Sequence, residues 1–394
     1  MPAVAEHPTI TFRDHSNGTF IRSTALLGSV TDHTHCGCQK QYNRQETVQM
    51  TTSDRAVSIA APETVTLFRN GYPESHHRLS AIVTDPEGRV LHAWGDVEAT
   101  VFPRSALKPL QALPLLESGA ADAFAVTDEE LALAIASHNG MPMHVERVAS
   151  WLQRLGLAVS DLECGAHAPY DAASTRALHW RHTDPSPLHN NCSGKHVGML
   201  ATCLHLGLPT AGYSTPDHPL QRQILSIYAE TTGTAATAMP QGIDGCSLPA
   251  AAMPLAGLAR AMARFAAPET SFGTTRAAAI QRIRRAWADH PDLVAGPQTF
   301  NTDAMALTNG RVLLKRGAQG VYGGLVPDLG VGLAVKAESG SSIAADAMTA
   351  VVLRRLGVVD DAVWRRMIDL PYFKETSWRG EPAGEYRPGN GWPT

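Results

Sequence analysis

RLSAIVTD (78–85) and RVLHAWGD (89–96) are strand-like runs joined through the turn tetrad Asp85-Pro86-Glu87-Gly88, and together they predict a β-hairpin. VTLFRN (65–70), just ahead, has the same β character. Beyond the hairpin the period changes to that of helices. Helical spacing covers Ala106 to Leu116, Asp128 to Ala136 behind the capping candidate Thr127, and Met143 to Leu155. Further helices are expected at 194–206, 218–230, 248–265, 275–288 and 341–356. Strand character returns in RVLLK (311–315), VYGGLV (321–326) and VGLAVKA (331–337). Strands bracketing a long helical middle predict an α+β fold. Its antiparallel sheet, flanked by helices, would come from about 64–100 and 305–357, and its helical lobe from about 105–295. One catalytic domain over 61–370 and a C-terminal tail over 371–394 complete this division.

With 394 residues and 44% hydrophobic content, the chain can bury a substantial core. Charged residues make up 18% and the formal net charge is −4, so nothing recruits nucleic acid or an anionic membrane. Glu6, Arg13 and Asp14 interrupt any apolar run at the start, and no stretch reaches the ~20 apolar residues of a membrane span. A cytoplasmic location is the expectation. The six cysteines are then thiols or metal ligands more readily than disulfides. Residues 1 to about 60, rich in Thr, Ser, His and Gln, read as a disordered N-terminal extension, with Met50 as an alternative start. His33, His35, Cys36 and Cys38 within it match no zinc-finger spacing.

Only six of the 33 basic residues are lysines: Lys40, Lys108, Lys195, Lys315, Lys336 and Lys374. Where a generic positive charge was wanted, the chain uses Arg. The remaining lysines become candidates for what Arg cannot do, which is to lose a proton. Pro103-Arg104-Ser105-Ala106-Leu107-Lys108 holds the chain's single S-x-x-K. On a helix, positions i and i+3 share a face, so the Ser105 hydroxyl and Lys108 amine can meet, and a neutral amine can take the hydroxyl proton. Ser137-His138-Asn139 follows, then Lys315-Arg316-Gly317 after a strand. S-x-x-K, S-x-N and K-x-G in that order are similar to the layout of penicillin-recognising serine enzymes. Two ammonium groups converging on one partly buried site depress each other's pKa, which makes a base available near neutral pH.

Between these motifs lie His189-Asn190-Asn191-Cys192-Ser193-Gly194-Lys195-His196 and Gly242-Ile243-Asp244-Gly245-Cys246-Ser247. Gly-flanked polar runs at helix entries are typical of site loops. Two thiolates and a nitrogen could bind a soft divalent metal, with buried free cysteines as the alternative.

PRSALKPLQ, ASHNG, HNNCSGKHVGML, GIDGCSLP and KRGAQGVYGG, in this order between about Val65 and Gly357, resemble the Rhizobium-type asparaginases, or asparaginase II. These are relatives of serine β-lactamases and glutaminases. The resemblance implies hydrolysis of L-asparagine to L-aspartate and ammonia, a homodimer, and a β-lactamase-like sheet with a helical lobe. It makes Ser105 with Lys108, and Ser137 with Lys315, two catalytic pairs. It also implies Zn2+ held by Cys192, Lys195 and Cys246, as an aid to substrate positioning and not as activator of the nucleophile. Arg104, His138, Asn139, His196 and Asp244 stand close by in the same motifs. Gln319 departs from the acidic residue expected after K-x-G-A, and a slipped alignment there would bring Lys336 into the place of Lys315. A β-lactamase or D,D-peptidase shares the three motifs but leaves the cysteine cluster without a role. A glutaminase differs by one methylene of substrate, which a pocket discriminates by only about 1–3 kcal/mol.

Overall fold

A computed structural model describes residues 60–389 and 391–393. The expected N-terminal extension lies outside the described residues up to Ala60. Twelve strands occur among the described residues: β1 Glu63–Arg69, β2 Tyr72–Thr84, β3 Val90–Trp94, β4 Thr100–Val101, β5 Gln241–Ile243, β6 Pro249–Ala251, β7 Met253–Pro254, β8 Leu313–Arg316, β9 Val321–Val326, β10 Val331–Ala337, β11 Lys374–Thr376 and β12 Pro382–Pro388. The main sheet is antiparallel in order β11-β12-β1-β2-β10-β9-β8, and the long β2 pairs with β3 as well. The hairpin of β2 and β3 turns where expected, with the Asp85 and Arg89 backbones bonded across Pro86-Glu87-Gly88. The fold is α+β.

From Leu79 onward β2 is buried at every position, as is all of β9. Strands covered on both faces lose the polar alternation of a half-exposed sheet. One cover is the helix Leu255–Ala266, which packs on β2, β9 and β10. It comes so near that a side chain on Gly332 of β10 would place its Cβ 2.1 Å from the Ala263 backbone nitrogen. Glycine is therefore dictated there by helix-on-strand contact. The helix Ser342–Arg355, capped by Ser341, packs on β1, β2, β9, β10 and β12. In the helical lobe, Ser193–Leu206 is buried along its first three turns and packs against Asp128–Ala134 and Pro142–Arg154. Thr127 caps Asp128–Ala134 as expected, in a reciprocal box with Glu130.

Three expectations are corrected. Residues 371–394 are not a tail, because β11 and β12 extend the sheet and β12 pairs with β1. The stretch 248–265 begins as β6 and β7, and its helix starts only at Leu255, after Pro254. A proline has no N–H to donate and sits comfortably only in a helix's first turn. Ala106 to Leu116 is likewise divided into a 3-10 turn Arg104–Leu107 and short helices Lys108–Gln111 and Leu113–Glu117, with Pro109 and Pro114 at the breaks.

Candidate active site

A cavity of about 370 Å³ opens between the sheet and the helical lobe, and Arg104, Ser105, Ser137, Asn139, Cys192, Asp244 and Cys246 all reach its wall. Each arrives from a different local device. Ser105 stands in the 3-10 turn, closed by the Ala106 amide donating to the Pro103 carbonyl. Arg104 before it adopts φ +49°, a left-handed conformation that costs a non-glycine residue about 1–2 kcal/mol. Its guanidinium grips Asp244 through Nε at 2.9 Å and Nη2 at 2.5 Å. Gly317 of the K-x-G motif has its own steric reason: a Cβ there would lie 2.3 Å from the Pro103 carbonyl oxygen. The third motif thus packs directly against the first.

Ser137 follows Asp128–Ala134, with its amide donating to the Val294 carbonyl. Its hydroxyl is the meeting point of two lysines. Lys315 Nζ lies 2.7 Å from Ser137 Oγ and Lys108 Nζ 3.0 Å from it. Lys108 also donates to the carbonyls of Ala136 and, at 3.4 Å, Asn191. The expected Ser105–Lys108 contact is not among its hydrogen bonds. Both amines are buried. Burial pushes Lys108 below its ordinary value, helped by Lys195 and opposed by Cys192 and Cys246. Lys315 falls well below its ordinary value, by burial first and then by Lys108. A hydroxyl oxygen facing two amines has its own proton to place, and a neutral lysine accepts it. Lys336 has a different occupation: its Nζ donates to the Gln319 and Ala337 carbonyls at 2.7 and 2.6 Å.

Cys192 precedes the helix Ser193–Leu206, and its amide is held by Asn190 Oδ1 at 2.9 Å. Cys246 sits in the tip of the β5–β6 hairpin, where the Asp244 amide donates to Leu248. Cys246 beside it, with Lys108 and Lys195, holds Cys192 well below the ordinary thiol value against burial. Cys192 in turn, with burial, pushes Cys246 up. Lys195 Nζ is 3.2 Å from Cys246 Sγ. Burial opposes charge on Lys195, but Cys192, Cys246 and Asp244 outweigh it and raise its pKa. Among the described residues no three His, Cys, Asp or Glu side chains converge as a metal cluster. Cys192, Cys246 and Lys195 do interact with one another, with Lys195 Nζ 3.2 Å from Cys246 Sγ, and two sulfurs with a nitrogen are a donor set of the kind zinc takes. This donor set fits zinc once Lys195 and both thiols have shed their protons.

His138 and His196 are buried and do not reach the cavity wall. His138 accepts from the Gly140 amide at Nδ1 and therefore donates from Nε2 to Ser193 Oγ at 2.9 Å, tying the Ser137 turn to the Cys192 helix. His196 Nδ1 lies 2.6 Å from the Tyr213 hydroxyl, and its Nε2 has no partner. Asn190, Asn191, His167, Tyr170 and Arg316 also line the cavity. Of these, Asn190, Asn191 and Arg316 stood inside the recognised motifs, while His167 and Tyr170 had no motif to mark them. His167 Nε2 receives the Asn191 amide at 3.0 Å, and its ring lies tilted against Tyr170 with centroids 4.9 Å apart.

A cavity-lining serine hydroxyl held by two buried amines, on this α+β scaffold, defines a serine-hydrolase-like amidase. Residues 65–388 match the family described as L-asparaginase II, and the chain belongs to that family. Its substrate is accordingly a small molecule. No curated protein matches the chain. Among solved structures it is similar to a β-lactamase from Mycobacterium bovis, at 14% identity over 70% of this chain and 94% of that one, with TM-score 0.36. It is also similar to Mglu, at 17% identity over 71% of this chain and 66% of that one, with TM-score 0.32. No helix among the described residues is long and apolar enough to cross a membrane.

Proposed function

We propose that this protein is an L-asparaginase: a serine hydroxyl attacks the side-chain amide carbon of L-asparagine, ammonia leaves, and water releases L-aspartate from the acyl-enzyme. The observation that carries the reading is Ser137 Oγ within 3.0 Å of both Lys108 and Lys315 Nζ, in the wall shared with Ser105. Ser105 is the nucleophile, Lys108 its proton acceptor, and Ser137 with Lys315 the neighbouring pair that passes the proton on to the leaving nitrogen. A specific observation favours a second reading, with Ser137 as nucleophile: it is the serine already bonded to both amines.

Cys192, Lys195 and Cys246 would hold zinc, which supplies a Lewis-acidic anchor for a polar group of the substrate. Asp244, bonded to Arg104 beside Ser105 and facing Lys195, links the metal-binding side of the cavity to the serine side. The four described cysteines are free thiols, as a cytoplasmic enzyme requires, and the active form is a homodimer.

Ammonia release from L-asparagine and L-glutamine, compared by kcat/KM, tests the substrate, and a β-lactam chromophore tests the nearest rival chemistry. Mass spectrometry of quenched turnover locates the acyl ester. An ester on the Ser105 peptide supports the first reading, and one on the Ser137 peptide replaces it with the second. No ammonia from either amide would remove the proposal.

A further inference from the structure

Behind the K-x-G strand lies a buried hydrogen-bonded chain that the amide chemistry does not use. The Tyr322 hydroxyl on β9 is 2.6 Å from Asn301 Oδ1 and in contact with Asp346 Oδ1. The orientation of Asn301 is fixed because its Nδ2 donates to the Leu314 carbonyl at 3.1 Å, so its oxygen faces Tyr322. One phenol proton therefore faces two acceptors. If Asp346 is ionised, one acceptor stays unserved, with two oxygens pressed together in a dry site. If Asp346 carries a proton, the chain closes: Asp346 donates to Tyr322, and Tyr322 donates to Asn301.

Asp346 Oδ2 also lies 4.0 Å from Arg316 Nη1. Arg316 follows Lys315 and lines the catalytic cavity. Of the two arginines in that wall, Arg104 is already gripped by Asp244 at 2.5 and 2.9 Å. Arg316 faces the buried Tyr322 hydroxyl and has a carboxylate no nearer than Asp346 at 4.0 Å, so it is the less tightly paired cation and the one left for an incoming anion. We propose that Arg316 receives the carboxylate of the amino-acid substrate, and that Asp346, through its chain to Tyr322 and Asn301, is a positioning residue that sets how strongly Arg316 does so. This rests on the amidase reading only in taking an amino acid as the ligand.

Burial raises the Asp346 pKa to about 6, against the pull of Arg316 and Tyr322. The other titratable groups facing it are few. Tyr372, in the turn Pro371–Phe373, donates to Asp303 at 2.6 Å. Tyr170 faces Arg316 from the cavity side. Below pH about 6 Asp346 is neutral and Arg316 presents its full charge to the cavity. Above that pH the Asp346 carboxylate competes with the ligand's, so carboxylate binding weakens as pH rises.

The test is calorimetric titration of the full-length protein with L-aspartate from pH 5 to 8, alongside steady-state kinetics with L-asparagine. The wild type should show Kd rising on the order of tenfold across this range. Asp346→Asn should bind tightly and lose that component of the pH profile, with the change falling on KM more than on kcat. Arg316→Gln should bind weakly throughout, and Asp346→Asn should add nothing in its background. Tyr322→Phe, which breaks the chain between Asp346 and Asn301, should move the step and serves if Asp346→Asn does not fold. An unchanged pH step in Asp346→Asn, or wild-type affinity in Arg316→Gln, overturns the proposal. A pH step in aspartate binding without asparagine turnover would sink the substrate reading while leaving this one standing. Turnover with a flat binding profile would do the reverse.

Discussion

Lys315 and Lys195 are both buried lysines behind the wall of one cavity, yet their neighbours drive them to opposite proton states. Lys315 meets a hydroxyl and a second lysine, so burial and like charge both favour the neutral amine. Lys195 meets a thiolate, a second sulfur and the Asp244 carboxylate, and it keeps its proton despite equal burial. Burial alone therefore decides nothing about a lysine; the sign of the charges around it does. The first cluster can accept a proton in catalysis. The second must give protons up before it can hold a metal.

Replacing the amine by a group that cannot deprotonate breaks this contrast most severely. Lys315→Arg keeps the charge and most of the reach, yet should lower kcat on the order of 10³-fold in the ammonia assay, because a guanidinium cannot act as a base. Lys336→Ala should leave turnover within about twofold, since its amine holds two carbonyls outside the cavity. Wild-type activity should rise with pH as Lys315 loses its proton. The sign for stability is the same: the folded-state pKa is depressed, so between it and the unfolded lysine value the unfolded chain binds more protons, and stability grows with pH across that window.

Breaking the other cluster should have a smaller effect and a different form. Cys192→Ser removes one sulfur from the proposed zinc set, and elemental analysis after dialysis against zinc should show metal loss. KM for asparagine should rise on the order of tenfold with a lesser fall in kcat, the pattern of lost ground-state binding. In the wild type, zinc affinity should rise with pH, because Lys195 and the thiols must be deprotonated to coordinate. No near-stoichiometric zinc in wild-type protein would make these ordinary thiols.

Much of the scaffold was legible because its period is strong. VYGGLV and VGLAVKA match β9 and β10 residue for residue, since strands buried on both faces write themselves as unbroken apolar runs. The strands Lys374–Thr376 and Pro382–Pro388 left no such trace. They are polar strands at one end of the sheet, β11 on its edge and β12 half-buried, held by pairing with β1 and with each other and not by a buried face. The same division runs through the site. Motif order singled out Ser105, Lys108, Ser137 and Lys315, but local spacing pointed Lys108 at Ser105, three residues away. The structure sends it to Ser137, where Lys315 also arrives from a strand 178 residues further along. Contacts of that separation are made by the fold, and no tetrapeptide encodes them. Asp346 was invisible for the same reason, being an ordinary acidic residue in a helix until Tyr322 and Arg316 are brought against it.

The central claim is that the lysine facing Ser137 is a neutral base while the lysine facing the cysteines is an acid. With six lysines in the chain, NMR titration of protein labelled with 13C and 15N in lysine only, assigned by single Lys→Arg variants, reads both amines directly. Lys315 should lose its proton well below the ordinary lysine range, and Lys195 in metal-free protein should keep its own to the top of the titration. Lys315 titrating at or above the position of an exposed lysine such as Lys374 would contradict the account.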